Sequence, residues 1–466
     1  DRLLILRNTV EGERPAGFVS YREIGNEDLF GVLKDMELAN LVRGKSSREI
    51  LLITGIYARE DGTGDSGVIR DAPQQLLVEV LAKELEKNYS FALFVAERGT
   101  ATKEVVYVLE RQGFIRPHMA DENDKRTIYM VDMHEPLMFL HNLDTTIKEP
   151  FASNPAVLDA VEKNHKKLQI AMTKLYPGNL VLSLSSGIMY HRLVDRITAL
   201  NDVPREPLVP RRLGKNMCVP FGKILRGKVV PNTVTKTLHT DKVYEPDLNS
   251  FTIEPFPYYS PLKSQIETIK SFDRPVILVD DLVHTANRLQ VLVPQLREDG
   301  IPIKKVVVGV LSGYGRDLMQ CLKVPVESIY SMPNLRQWFV ESTLYPFIGG
   351  DTVRREEMKV AGLQPSINMI LPYATPRLSG CSREALVEFS ACCIENSRDL
   401  FQVLEAEYRK MYAKNLTLSR LSEAVILPLC PDKGSCMEYD ENLAASVYLE
   451  NDLETLWRMK EFLIKG

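Results

Sequence analysis

The stretch Pro275-Val-Ile-Leu-Val-Asp-Asp-Leu-Val-His-Thr-Ala-Asn-Arg-Leu289 constrains this chain more than any other. Residues 276–280 form a run of β-branched and aliphatic types that predicts a fully buried parallel strand. The run ends on two adjacent carboxylates, Asp280 and Asp281, and the polar turn His284-Thr-Ala-Asn287 then opens an amphipathic segment over 289–296. A strand whose C-terminal edge feeds a helix N-terminus is where open α/β sheets bind ligands. Free backbone N–H groups and the helix dipole favour a phosphate there. The carboxylates beside it suit sugar hydroxyls or a hydrated Mg²⁺ that bridges phosphates. The plainer alternative is an ordinary strand–helix junction with acidic residues at the strand end.

This stretch resembles the signature of type I phosphoribosyltransferases. There an aliphatic strand ends in two acidic residues, and a Thr-Thr-Gly-x-Thr-like loop cradles the 5′-phosphate of phosphoribosyl pyrophosphate. The resemblance covers residues 276–281, Thr285 and Leu289. Ala286 stands where the family usually has Gly, and its Cβ crowds a close phosphate. Arg288 stands where the family usually has Thr, and its guanidinium can bind phosphate directly. The resemblance implies that Asp280 and Asp281 hold the ribose hydroxyls, that His284, Thr285, Ala286, Asn287 and Arg288 surround the 5′-phosphate, and that Mg²⁺ comes with the ligand. No side-chain nucleophile is needed, because positioning and charge stabilisation of an oxocarbenium-like centre carry such a step.

Upstream, Asn179-Leu-Val-Leu-Ser-Leu-Ser-Ser-Gly187 reads as a buried strand breaking into a small-residue turn, with a helix over 188–200. Ser185, Ser186 and Gly187 can bring amides and hydroxyls to an anion, and in the resemblance they take the place of the pyrophosphate loop. Residues 211–240 carry Arg211, Arg212, Lys215, Lys223, Arg226, Lys228 and Lys236. The family comparison makes this stretch a basic lid over the leaving pyrophosphate, with Lys223, Arg226 and Lys228 as ligand-binding residues. A nucleic-acid or partner-binding surface, or a plain solvated loop, is the alternative.

Residues 1–135 alternate strands (3–6, 16–21, 49–57, 91–95) with helices (72–87, 103–112), and a glycine-rich loop, Asp61-Gly-Thr-Gly-Asp-Ser-Gly67, follows the third strand. With the turn Leu109-Glu-Arg-Gln-Gly-Phe114, this succession resembles the later part of a GNAT-type acyltransferase domain. Two positions depart from that family. Its pyrophosphate loop is replaced by Arg70-Asp-Ala-Pro-Gln-Gln75, where Pro73 removes a donor and Asp71 adds negative charge. Its usual general-acid tyrosine is Leu109, which cannot transfer a proton. Arg70 is left as the side chain to hold acetyl-CoA, and acyl transfer is not expected.

The remaining chain reads as helical over 134–176, with His165 on a charged, solvated face. It continues with a buried strand at 304–311, an irregular hood-like region over 325–375, and helices at 383–411, 416–427, 442–449 and 452–464. The seven scattered cysteines form no metal or disulfide spacing. A net charge of −4 argues against general nucleic-acid binding, and no apolar run approaches a membrane span. The expectation is a cytoplasmic α/β fragment of a longer chain whose upstream domain is missing. A GNAT-like domain with a mixed sheet occupies 1–135, and a doubly wound, mostly parallel phosphoribosyltransferase-like domain occupies 150–335. A hood-like and helical extension fills 336–466. The expected function is Mg²⁺-dependent phosphoribosyl transfer, or binding of a small phosphoribosyl ligand. The alternatives are an acyl-CoA-dependent N-acyltransferase and a non-catalytic sensor.

Overall fold

The computed structural model describes residues 2–8, 14–46, 48–58, 71–97, 101–117, 126–210, 212–257, 259–355, 360, 362–376, 378–433 and 438–465. Two compact units divide the chain. The first comprises Asp1–Phe139, Met172–Ser183 and Tyr330–Trp338; the second comprises Leu140–Ala171, Leu184–Ile329 and Phe339–Gly466.

The first unit opens with the antiparallel strands β1 (Arg2–Asn8) and β2 (Arg14–Ile24). Two helices missing from the sequence reading follow, α1 (Leu29–Leu33) and α2 (Met36–Lys45). The Asp35 carboxylate caps α2, accepting the Leu38 N–H at 2.9 Å. Leu29, Leu33, Leu38 and Val42 then pack on Ile50, Leu52, Phe91 and Leu93, which lie on β3 (Ile50–Ala58) and a later strand. Helix α3 (Ala72–Glu84), β4 (Phe91–Glu97), α4 (Lys103–Arg111) and β5 (Arg126–His141) complete the alternation. Strands β3 and β4 run parallel but pair only from Leu51↔Ala92 to Ile53↔Phe94. The turn after α4 forms as the sequence suggested. Gly113 takes φ +90°, and a Cβ there would lie 2.1 Å from the Asn179 carbonyl oxygen, so glycine is required.

The helical expectation for 134–176 is overturned in its first part. Strand β5 runs through Pro136 to His141, and helix α5 begins only at Pro155 (Pro155–Leu175). Strand β6 (Asn179–Ser185) pairs with β5, and α6 (Ser186–Leu200) follows it.

The second unit holds the parallel sheet. Its elements in chain order are β7 (Met217–Pro220), β8 (Val234–Thr235), β9 (Thr240–Tyr244), β10 (Phe251–Pro255), α7 (Leu262–Lys270) and β11 (Val276–Val283). Then come α8 (Asn287–Glu298), β12 (Ile303–Ser312), α9 (Gly313–Cys321) and β13 (Val326–Met332). The order is β13-β12-β11-β7-β8, and β11 runs parallel to both neighbours, with Leu278 opposite Val306 and Val219. Helices cover both faces, so Val276, Ile277, Leu278 and Val279 are all buried.

The rest of the chain is β14 (Gln337–Val340), α10 (Glu341–Leu344), β15 (Asp351–Val353), β16 (Gln364–Ile367), α11 (Arg383–Tyr412), β17 (Leu429–Pro431) and α12 (Ala445–Lys465). Strands β10-β9-β15-β16-β17 form a second sheet of the unit. The region read as irregular over 325–375 therefore contributes four strands. The helix expected at 416–427 is only a short 3-10 turn, Leu418–Glu423, and the two closing helices are one continuous α12. The fold is mixed α/β with parallel-rich sheets and, among the described residues, no barrel. No helix among them is long and apolar enough to cross a membrane.

Candidate active site

Strand β11 delivers Asp280 and Asp281 to its C-terminal edge, and the sheet neighbour β7 ends beside them. The backbone N–H groups of Lys223 and Ile224 donate to the Asp281 carboxylate at 2.6 and 3.0 Å. Gly222 makes this approach possible, since a Cβ there would meet Asp281 Oδ1 at 2.4 Å and Asp280 Oδ1 at 2.8 Å. Asp281 thereby ties the loop after β7 to the end of β11.

Asp280 stands differently. Its Oδ1 accepts the Asp281 N–H at 2.9 Å and lies 3.9 Å from the Arg288 guanidinium, and its side chain keeps 13% of its exposure. Burial pushes its pKa up to about 7 against the pull of Arg288, and the Asp281 charge adds to the rise. Arg288 also donates to the Phe221 carbonyl at 3.3 Å. Burial depresses the Lys223 pKa although Asp351 pulls it up, and burial and then Arg288 depress that of Arg226. The Arg226 Nε is buried without a hydrogen-bond partner, and its guanidinium lies 5.0 Å from the Phe256 ring centroid.

A second layer comes from the other sheet of the unit. Thr352 on β15 donates to Asp241 on β9 at 2.5 Å. Burial raises the Asp351 pKa while Lys242 and Lys223 oppose the rise. Nearby, His239 and Tyr259 stack with ring centroids 3.9 Å apart.

The turn before α8 holds the one residue whose fit the sequence put in question. Ala286 occupies the helix N-cap at φ 51°, ψ 21°, a left-handed conformation that suits glycine better than alanine. No side chain caps α8. Asn287 donates to Thr285 Oγ1 at 2.8 Å, and His284 Nδ1 lies 2.9 Å from Ser312 Oγ. Burial lowers the His284 pKa, so this ring is a neutral neighbour of the turn.

The basic stretch of the sequence reading is not one long loop. Its middle is the buried strand β7, and the short β8 pairs with that strand in parallel. Residues 223–228 form turns, with the Lys228 N–H donating to the Leu225 carbonyl and its ammonium 4.4 Å from the Tyr190 ring centroid. Arg211 lies outside the described residues. Ser185, Ser186 and Gly187 sit at the junction of β6 and α6, and β6 belongs to the sheet of β5. The Ser186 hydroxyl faces Asp144 at 3.5 Å. The loop that touches the acidic pair is Gly222-Lys223-Ile224, which sequence reading missed as a strand end; Gly222 followed by Lys223 was the available signal.

In the first unit, Asp71 pairs with the buried Arg111 and is not left as an open negative charge. Leu109 is fully buried. Arg70 and the glycine-rich loop 61–67 lie outside the described residues.

No protein-family model matches the chain. No curated protein matches it either. Among solved structures, an N-acyl amino acid synthase from uncultured soil microbes matches at 18% identity and a TM-score of 0.20, covering 28% of this chain and 71% of that one. A purine phosphoribosyltransferase from Pyrococcus horikoshii Ot3 matches at 13% identity and a TM-score of 0.21, covering 33% of this chain and 87% of that one.

Proposed function

We propose that the second unit binds a phosphoribosyl pyrophosphate-type ligand with Mg²⁺ and transfers its phosphoribosyl group. The observation that carries this reading is the division of labour within the acidic pair. Asp281 is spent on the protein's own backbone, while Asp280 remains partly exposed with a pKa raised by burial. A carboxylate held that way is stabilised by ribose hydroxyls or by a hydrated cation.

Two neighbouring features support the same assignment. The uncapped α8 N-terminus offers N–H groups to a 5′-phosphate, with Arg288 beside it. The turn after β7 presents Lys223 and Arg226, whose buried Nε lacks a partner and would be satisfied by a pyrophosphate oxygen. This reading moves the pyrophosphate role from Ser185–Gly187 to the Gly222–Arg226 turn. Oxygen donors such as Asp280 suit Mg²⁺, which would neutralise pyrophosphate charge.

The chemistry asked of the chain is positional. Asp280 would hold the ribose, the α8 turn would fix the phosphate, and the cations would stabilise charge developing on the leaving pyrophosphate. Calorimetric titration with phosphoribosyl pyrophosphate and Mg²⁺ tests binding, and release of pyrophosphate with added bases tests transfer. Binding without turnover would make the unit a sensor of that ligand. Absence of binding to the parent protein would sink both readings.

A further inference from the structure

Away from the acidic pair, three side chains from distant parts of the chain converge in the interior of the second unit. His141 ends β5, His165 lies on α5, and Glu341 opens α10. One ligand atom from each lies within 4.8 Å of the other two. Glu341 Oε2 is 2.7 Å from His165 Nε2 and 3.9 Å from His141 Nδ1. The imidazole centroids are 4.3 Å apart. Glu341 is fully buried, and the His165 side chain retains 21% of its exposure.

Two features are poorly explained by an ion pair alone. Although Glu341 Oε2 and His165 Nε2 are close, both are buried and neither makes a hydrogen bond of acceptable geometry. The second feature is how firmly the three backbones are held. Asn142, next to His141, accepts the Ser342 N–H and donates to the Ser342 hydroxyl, both at 2.9 Å, and Ser342 adjoins Glu341. Asn164, next to His165, exchanges amide hydrogen bonds with Asn396 on α11 at 2.7 and 3.0 Å.

We propose that His141, His165 and Glu341 form a binding site for one divalent transition-metal ion, zinc in the first instance. Two imidazoles and one carboxylate are a zinc ligand set, and tetrahedral zinc with bonds of about 2.0–2.2 Å spaces its ligand atoms by about 3.3 Å. The observed separations of 2.7 and 3.9 Å bracket that value. A second layer is in place. Gln169 lies 3.0 Å from His141 Nε2 while the other ring nitrogen, Nδ1, is the one nearest Glu341, and the Tyr345 hydroxyl donates to Glu341 Oε1 at 3.4 Å. Asn396 in turn donates to the Tyr345 hydroxyl at 2.9 Å. His165 is the most exposed of the three. The site is independent of the phosphoribosyl reading, and neither depends on the other's success.

The full chain, stripped with EDTA and given ZnCl₂, should retain one zinc per chain through gel filtration and melt at a higher temperature. Co²⁺ in its place should give the visible bands of a tetrahedral nitrogen–oxygen site. Glu341→Gln and His165→Gln should each weaken zinc by more than about 100-fold, and Gln169→Ala by about 10-fold, as loss of a second-layer partner does. If the ligand variants fail to fold, the parent's Co²⁺ spectrum and Gln169→Ala still decide. A stripped protein that takes up no zinc would overturn the proposal, leaving a metal-free His165–Glu341 ion pair. Equal affinity in parent and Gln169→Ala would do the same. So would a sulfur-to-cobalt charge-transfer band, which would place the ion on cysteine thiols instead.

Discussion

Gly222 and Asp281 stand so close that a methyl group on the Gly222 α-carbon would fall 2.4 Å from Asp281 Oδ1. The carboxylate occupies that space because it accepts the N–H groups of the two residues after the glycine. Glycine, carboxylate and turn therefore form one unit, and each can be tested through the others. Gly222→Ala is expected to push the turn off Asp281, costing about 1–3 kcal/mol as overpacking does. Urea unfolding should register that loss, and calorimetry should show weaker binding of phosphoribosyl pyrophosphate. An unchanged midpoint and affinity would contradict the close approach.

The two aspartates should separate when each is changed to asparagine. Asp281→Asn keeps the shape but removes the charge that holds two N–H groups, a loss of roughly 1.5–3 kcal/mol in stability. Asp280→Asn is expected to leave stability equal or higher, since it removes a buried charge, and to reduce Mg²⁺-dependent ligand affinity. Paired melting and titration experiments check both, and a large stability loss in Asp280→Asn would contradict the division of roles.

Stability should also depend on pH through Asp280. Its folded pKa of about 7 lies above the ordinary value of 3.8, so the folded state holds this proton more tightly than the unfolded state. Stability contributed by that proton is present at low pH and is lost as pH rises from about 4 to 7, with a slope of up to about 1.4 kcal/mol per pH unit. The difference in unfolding free energy between the parent and Asp280→Asn, followed across that window, isolates this component. A flat difference would refute it.

In the first unit, Arg111 is 2% exposed and pairs with Asp71. Asp71→Asn should leave the guanidinium buried without its counter-charge, costing about 3–5 kcal/mol. Chemical denaturation measures that cost. With Leu109 buried and unable to donate a proton, incubation with acetyl-CoA and amines is expected to release no thiol above background.

The central strand was legible because a parallel strand buried on both faces needs an unbroken aliphatic run, and 276–279 is one. Its partner β7 was hidden, since Met217-Cys-Val-Pro220 is only four residues long, ends in proline and lies among basic residues. Strand β5 was missed along its whole length, and Glu135-Pro136 within it reads as a strand break. The turn at Gly113 was plain because only glycine tolerates its geometry. The cluster at His141, His165 and Glu341 had no spacing signature, as its members meet only through tertiary folding. His165 was accordingly read as part of a solvated face, and the structure places it against Glu341.

The sheet that β9 and β15 share with β10, β16 and β17 bears on how the second unit assembles. Asp241 and Thr352 share a hydrogen bond across 111 residues of chain, and β17 joins the same sheet from still further along. The strand–helix–strand run from β11 to β12 can close on itself over a few dozen residues. The β9–β15 pairing must wait for a far larger loop to close. During synthesis the strand bearing the acidic pair can thus be in place well before the sheet that supplies Asp241 and Asp351. Until then β9 presents an unpaired edge on the side that β15 will cover, the kind of surface on which nascent chains associate.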